Sequence, residues 1–148
     1  MTSLSEMTLR PATAADAASV RSLLSDASLR VSDIDPTRQA FIVAIVGGEI
    51  EGCIGLELFG SAALVRSLAV RHQRRGTGLG TALIEGIRAL AISHKVETLF
   101  LLTTTASAFF EHRGFVMVDR SVVPKDLAHS GQFTELCPSS ATSMTLKL

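Results

Sequence analysis

The apolar positions of this chain fall into runs that predict most of its elements. Residues 41–46 and 50–58 are two strand-like runs around Gly47-Gly48, the signal of a tight hairpin. Phe59-Gly60-Ser61 predicts a second turn, and residues 63–70 a third strand of the same antiparallel meander. Ahead of it, residues 7–10 read as a short first strand. Residues 11–16 then form a helix start, with Thr13 as N-cap and Asp16 at the capping-box position. Val20, Leu23, Leu24 and Ala27 repeat along one face of that helix. Residues 30–38 are polar, contain Pro36, and read as a loop or short helix of the kind that carries substrate contacts.

After the meander a basic turn leads into a helix predicted over 76–93, with Leu79, Leu83, Ile87 and Leu90 along one face. Gly86 inside it costs about 1 kcal/mol against Ala, which predicts close packing of its backbone on the sheet. Residues 98–103 form a buried parallel strand, completing a β–α–β crossover. Residues 106–113 read as a short helix ended by Gly114 at C′, residues 115–120 as a strand, and residues 124–127 as the start of another helix. The alternation of 143–148 predicts a last strand, whose apolar side could pair across a dimer. Residues 1–6 are small and polar and are predicted to fray, leaving one domain over 7–148.

Composition narrows the class. The chain has 148 residues, 47% hydrophobic and 19% charged, which suits a compact core. Fourteen basic and fourteen acidic residues leave no net charge to recruit nucleic acid or an anionic membrane. No apolar run reaches the roughly 18 residues that span a bilayer, and no leader pattern opens the chain, so a cytoplasmic protein is expected. The two cysteines, Cys53 and Cys137, make no Cys-x-x-Cys, so no metal site is expected and a reduced pair is the default.

Chemistry concentrates at the basic turn, Gln73-Arg74-Arg75-Gly76-Thr77-Gly78-Leu79-Gly80-Thr81. A helix start presents unpartnered N–H groups at the positive end of the macrodipole, and glycines let a phosphate approach them. A P-loop needs Lys then Ser/Thr after its last glycine, and Gly80 is followed by Thr81 and Ala82. The Gly-x-Gly-x-x-Gly of a dinucleotide fold is missed as well, because the spacing is Gly76-x-Gly78-x-Gly80. The run does meet Gln/Arg-x-x-Gly-x-Gly/Ala, the pyrophosphate motif of the GNAT acetyltransferases. Ala106, Phe109, Phe110, Gly114 and Phe115 resemble that superfamily's second motif. The order β-α-β-β-β-α-β-α-β with a C-terminal strand is similar to the GNAT fold: an α/β architecture whose central, mixed but mostly antiparallel sheet is flanked by helices, with a strand–loop–helix cradle for acetyl-CoA.

The resemblance implies an N-acetyltransferase with acetyl-CoA as cofactor. The amides around residues 73–81 would hold its diphosphate, and its arm would lie beside Leu68, Ala69 and Val70. Phe109, Phe110 and Arg113 would line the same site. Leu68 N–H would donate to the thioester carbonyl, an oxyanion-hole role. Thr103 stands where an Asn commonly touches the arm, and Thr104 stands at the acceptor side. Phe110 replaces the Tyr that commonly protonates the leaving thiolate, and the chain contains no Tyr. Thr105, Ser107 or water would substitute, and a thiol with a pKa near 8.5 leaves tolerably as an anion.

Two charged strand residues are candidates for the acceptor. Glu57 lies in the apolar run 53–58 and is the leading general base, the alternative being a solvated outward face. Arg66, inside the apolar run 64–68, is costly to bury without an anion and pairs well with a carboxylate. It is assigned the α-carboxylate of an amino acid with Ser67 as helper, or else an internal pair with Glu57. Residues 66–70, 101–106, 118–120 and 132–138 further resemble the arsenic-resistance N-acetyltransferases and the acetyltransferase domain of the N-acetylglutamate synthases. That likeness implies a glutamate-like amino acid, or an arsenic-containing analogue, as the small-molecule partner of a monomer or homodimer.

Overall fold

The computed structural model describes residues 7–26, 39–128 and 141–148. The expectations for residues 1–6, Ala27, 30–38 and 132–138, with Cys137, lie outside the described residues.

The elements run β1 (Thr8–Pro11), α1 (Ala17–Asp26), β2 (Ala40–Val46), β3 (Glu49–Phe59), β4 (Ala62–Val70), α2 (Leu79–Ser93), β5 (Thr98–Thr103), α3 (Ser107–Glu111), β6 (Val116–Met117), α4 (Lys125–Ala128) and β7 (Thr142–Lys147). Seven strands form one sheet in the order β1-β2-β3-β4-β5-β7-β6, in which only β4 and β5 run parallel. The expected mixed, mostly antiparallel sheet is therefore present.

Alternation along the strands divides the core between the two faces. Ile42, Ile54, Leu56, Ala63 and Val65 meet α2 on one face, while Phe41, Val43 and Cys53 meet Val20, Leu23 and Leu24 of α1 on the other. The buried face of α2 is Leu79, Leu83, Ile84, Ile87 and Ala91, with Leu90 only at its rim. A Cβ on Gly86 would stand 3.3 Å from Leu9 Cδ1 and 3.5 Å from Ile42 Cδ1, so its backbone does lie against the sheet.

Four boundaries differ from the sequence expectations. Helix α2 starts at Leu79 rather than 76, because Gly76 (φ 77°) and Gly78 (φ 87°) are left-handed. Helix α3 covers only Ser107–Glu111, with Gly114 in the left-handed conformation (φ 95°) expected of a C′ residue. The strand expected over 115–120 shrinks to Val116–Met117, since Arg120–Val122 turn as a 3₁₀ helix under the Asp119 side chain. Strand β7 pairs along its length with β5 on one side, and on the other Met144 and Thr145 pair with β6. Among the described residues no helix is long and apolar enough to cross a membrane.

The expected capping residues are tied to the first strand. Asp16 Oδ2 accepts from Thr13 N–H at 2.7 Å, and the carboxylate takes both guanidinium nitrogens of Arg10, at 2.7 and 3.0 Å. The Arg10 hydrogen bonds, then the Thr13 amide, hold the Asp16 carboxyl well below the usual carboxylate range. A folded-state pKa below the unfolded one stabilises the fold above about pH 4, and that contribution is lost as pH falls through the range below it. Asp16→Ala is expected to lower Tm by about 3–5 °C at pH 7, the scale of a lost cap. The gap to wild type should close in thermal scans taken below about pH 3. A gap that stays constant down to pH 2 would show that the carboxylate is not what holds this corner.

Candidate active site

Strands β4 and β5 start paired and then part. Their parallel ladder joins Ala62, Ala63 and Leu64 to Thr98, Leu99 and Phe100, and no pairing continues beyond it. Among the described residues, β4 from Val65 onward is paired only with β3, and β5 from Leu101 onward only with β7. A wedge therefore opens in the middle of the sheet toward the C-terminal ends of both strands. Open α/β sheets bind ligands at such places.

The half of β4 beyond its last pair with β5 carries a bulge in its ladder with β3. Cys53 pairs with Ala69 and Gly55 with Arg66, so Ser67 and Leu68 together face Ile54. Ser67 has φ 59°, the left-handed conformation of a bulged residue, and its carbonyl accepts from the buried Cys53 thiol at 3.4 Å. Burial pushes that thiol up to about 12, so it stays protonated and serves as a donor. Bulges turn a strand's hydrogen-bonding groups out of the ladder, as an acceptor of an external strand requires.

The chain leaves β4 through a 3₁₀ turn, His72–Arg74, into Gly76, Thr77 and Gly78. Arg74 N–H donates to the Arg71 carbonyl at 2.8 Å, and the Thr77 hydroxyl donates to the Arg74 carbonyl. Gly78 is the N-cap of α2, and no side chain caps that end. The helix's first intrahelical acceptor is the Gly78 carbonyl, taken by Ala82 N–H at 3.0 Å. Uncapped amides, two left-handed glycines and a neighbouring exposed Arg75 form a fitting cradle for a diphosphate.

The third wall comes from α3. A Cβ on Gly80 would stand 3.1 Å from Phe109 Cζ and 4.0 Å from Val70 Cγ2, so the ends of β4, α2 and α3 converge there. Arg113 locks the junction: its guanidinium lies 3.5 Å over the Phe109 ring centroid and donates to Thr81 Oγ1 at 3.1 and 2.6 Å and to the Phe109 carbonyl at 2.6 Å. Thr81, Phe109 and Arg113 thus hold one another rather than pointing singly into the cradle. Phe110 is a core residue, edge-on to Phe109 and Phe115 with ring centroids 5.2 and 5.5 Å away. Thr103 Oγ1 accepts from Ala106 N–H at 2.9 Å, which starts α3, while Thr104 and Thr105 are exposed at the mouth.

Glu57 and Arg66 come together on the face of the sheet that carries α1. Arg66 Nη1 donates to Glu57 Oε1 at 3.0 Å and Arg66 Nε to Ser67 Oγ at 3.3 Å; Gln39 Nε2 reaches the same Glu57 oxygen at 3.4 Å. The Arg66 side chain is 2% exposed and that of Glu57 26%. Glycine at position 55 makes room, since a Cβ there would collide with the Phe41 ring at 2.8 Å and touch Arg66 Cγ at 3.3 Å. The pairing of the two candidates, held open as an alternative from sequence, is what the fold adopts.

Sequence reasoning missed Glu51, a buried carboxylate on β3 within 3.1 Å of Arg71 Nε and 3.5 Å of Arg74 Nε. The available signal was an acidic residue inside an apolar strand run with a basic loop elsewhere, which says nothing about which strand meets the loop. Arg74, expected at the cofactor, also lies against this carboxylate through its Nε.

Comparison with known proteins bears on the family and the fold. The acetyltransferase (GNAT) domain profile matches residues 37–117, more than half of the chain. An uncharacterized N-acetyltransferase of Chlorobaculum tepidum is 31% identical over 88 residues, 59% of this chain and 56% of that protein. The amino-acid acetyltransferase of Actinobacillus pleuropneumoniae is 37% identical over 59 residues, 40% of this chain and 14% of that one. Among solved structures, N-acetylglutamate synthase from Neisseria gonorrhoeae, complexed with coenzyme A and N-acetyl-glutamate, superimposes with a TM-score of 0.82 at 20% identity, covering 96% of this chain and 35% of that one. The chain thus spans about half the length of the first of these relatives and a small part of the second.

Proposed function

The chain belongs to the GNAT acetyltransferase family, and on that premise we propose that it transfers the acetyl group of acetyl-CoA to the α-amino group of a small, glutamate-like amino acid. The observation that carries the reading is the wedge between β4 and β5, ending on the uncapped amides of α2. When bound, acetyl-CoA supplies a thioester whose carbonyl carbon an amine can attack.

The chain's own groups have these roles. The amides from Gly76 to Thr81 and the Arg75 side chain hold the diphosphate, with the left-handed Gly76 and Gly78 leaving the approach clear. The edge of β4 at Leu68, Ala69 and Val70 takes the arm as an added strand, and Leu68 N–H donates to the carbonyl oxygen, worth about 3 kcal/mol in the transition state. Arg66, with Ser67 beside it, takes the acceptor's α-carboxylate while keeping its bond to Glu57. Glu57 Oε1 accepts from Arg66 and Gln39; Oε2 carries no such partner among the described residues and receives the ammonium proton, directly or through one water. Thr104 borders the acceptor side. Thr105, exposed at the mouth, or water returns a proton to the leaving thiolate in place of the absent Tyr.

The test is release of free thiol from acetyl-CoA across a panel of acceptors. Glutamate and close analogues are expected to give turnover, and an arsenic-containing amino acid of similar shape belongs on the same panel. Turnover with peptides but not free amino acids would overturn the substrate class. Tight acetyl-CoA binding with no turnover on any amine would leave a sensing module instead.

A further inference from the structure

We propose that Glu51 is a positioning residue for the cofactor cradle: it clamps Arg71 and Arg74 against β3, fixes the β4–α2 loop before any ligand arrives, and leaves Arg75 and the backbone amides to face the diphosphate. The proposal rests on the acetyl-CoA reading above.

Three independent features converge on this carboxylate. First, it stands at a register break. Ala44 pairs with Gly52 but Ile45 with Ile50, so Glu51 is the extra residue of a bulge in β3, opposite no residue of β2. A bulge re-aims its side chain, and the bulged residue's carbonyl here accepts from Arg71 N–H at 2.8 Å, the first residue beyond β4. Second, Glu51 is only 6% exposed, in a strand whose neighbours are apolar. An acidic group is buried this far only where cations compensate it. Third, both cations come from the one loop that carries the family's phosphate motif. Arg71 Nε lies 3.1 Å from Oε2 and Arg74 Nε 3.5 Å from Oε1. Arg71 Nε is also within 3.3 Å of the Ile50 carbonyl.

The clamp is ionic more than directional. Glu51 Oε2 and Arg74 Nε are buried without an aligned hydrogen bond, so charge attraction and not bond geometry holds them. Arg74 is consequently fixed at three points: its side chain on Glu51, its N–H on Arg71 and its carbonyl on Thr77. The amide and Nε of Arg74 are thus taken up by the turn and by Glu51. On the far side, Asp26 of α1 lies 3.6 Å from Arg71, which ties the loop to the other face of the sheet. Adjacent to Glu51, Gly52 lets Leu79 and Leu83 close on β3, since a Cβ there would stand 3.0 Å from Leu83 Cδ1. Residues 51–52 therefore brace both the loop and the first turn of the helix.

Binding to a loop already in shape avoids the ordering cost that a floppy loop would incur, so loss of the clamp should appear in affinity and not in chemistry. Two measurements on the whole chain test this: titration calorimetry with coenzyme A, with pantetheine (which lacks the diphosphate) as the comparison probe, and hydrogen exchange of the ligand-free protein. In Glu51→Gln, the Kd for coenzyme A is expected to rise about tenfold, the scale of one interaction with a charged group. The Kd for pantetheine should hold, and amides of residues 71–78 should exchange faster while those of α2 beyond Ala82 do not. Arg74→Ala should weaken coenzyme A to the same extent, and the double variant no further, because both remove one link.

A Kd for coenzyme A that stays level or falls in Glu51→Gln would overturn the proposal, the fall meaning that released arginines grip the diphosphate better. Equal weakening of both probes would overturn it too, as a general loss of structure. If the wild type itself binds no coenzyme A, the acetyl-CoA reading fails. The exchange data then still decide the clamp: faster exchange confined to 71–78 supports it, and unchanged exchange overturns it.

Discussion

Gly78→Val is expected to weaken coenzyme A binding about a hundredfold. Gly78 has φ 87° and ψ 4° and caps α2 without any side-chain partner. A left-handed β-branched residue is strained by about 1–2 kcal/mol, and the strain is relieved by rotating the first turn of the helix. That rotation turns away amides aimed at the diphosphate. Losing two hydrogen bonds to a charged group at about 1.5 kcal/mol each corresponds to roughly a hundredfold in Kd. Tm should drop by about 3–6 °C from the strain alone. Gly80→Ala is the control. Its backbone needs no left-handed conformation, and the new Cβ only crowds Phe109 Cζ at 3.1 Å, so Phe109 shifts by a few tenths of an ångström and affinity changes far less. Calorimetry on the three proteins separates the cases. Wild-type affinity in Gly78→Val would mean that the diphosphate lies elsewhere, and the placement of the cofactor would fall with it.

Arg66→Ala is expected to raise the KM for the amino-acid acceptor about a hundredfold, since truncating one partner of a desolvated guanidinium–carboxylate pair costs about 2–5 kcal/mol. The Kd for coenzyme A should not move, because the partners of Arg66 described above, Glu57 and Ser67, lie outside residues 73–81. Folding stability should fall by only about 1–2 kcal/mol, because Glu57, with a quarter of its side chain exposed, can be rehydrated once unpaired. Glu57→Gln separates the two roles. Glutamine still accepts from Arg66, so KM should rise little, whereas loss of the proton acceptor should lower kcat about a hundredfold. An unchanged KM in Arg66→Ala would reduce the pair to architecture. An unchanged kcat in Glu57→Gln would move the base to another group.

The strands of the meander, the Gly47-Gly48 hairpin, the crossover helix and the glycine-rich cradle were legible in the sequence, because each follows from a local repeat of side chains or from backbone conformations that few residues other than glycine adopt. The capping residues at Thr13 and Asp16 were legible for the same reason: the groups lie within one turn of each other. Even there the sequence could not say that Arg10, on the neighbouring strand, completes the corner.

What only the tertiary structure decided was where distant strands part and what distant charges meet. The wedge depends on β4 and β5 losing their ladder after three pairs while β4 stays paired with β3 and β5 with β7. The bulges at Ser67 and Glu51 are single-residue register shifts, invisible in a two-residue repeat because each is defined only against its partner strand. Glu57 and Arg66 are nine residues apart in sequence and Glu51 and Arg74 twenty-three, yet both pairs lie on adjacent strands or a strand and its loop. Local propensity fixes which residues form an element; which side chains share a site follows from how the elements close on one another, and that is a property of the folded chain as a whole.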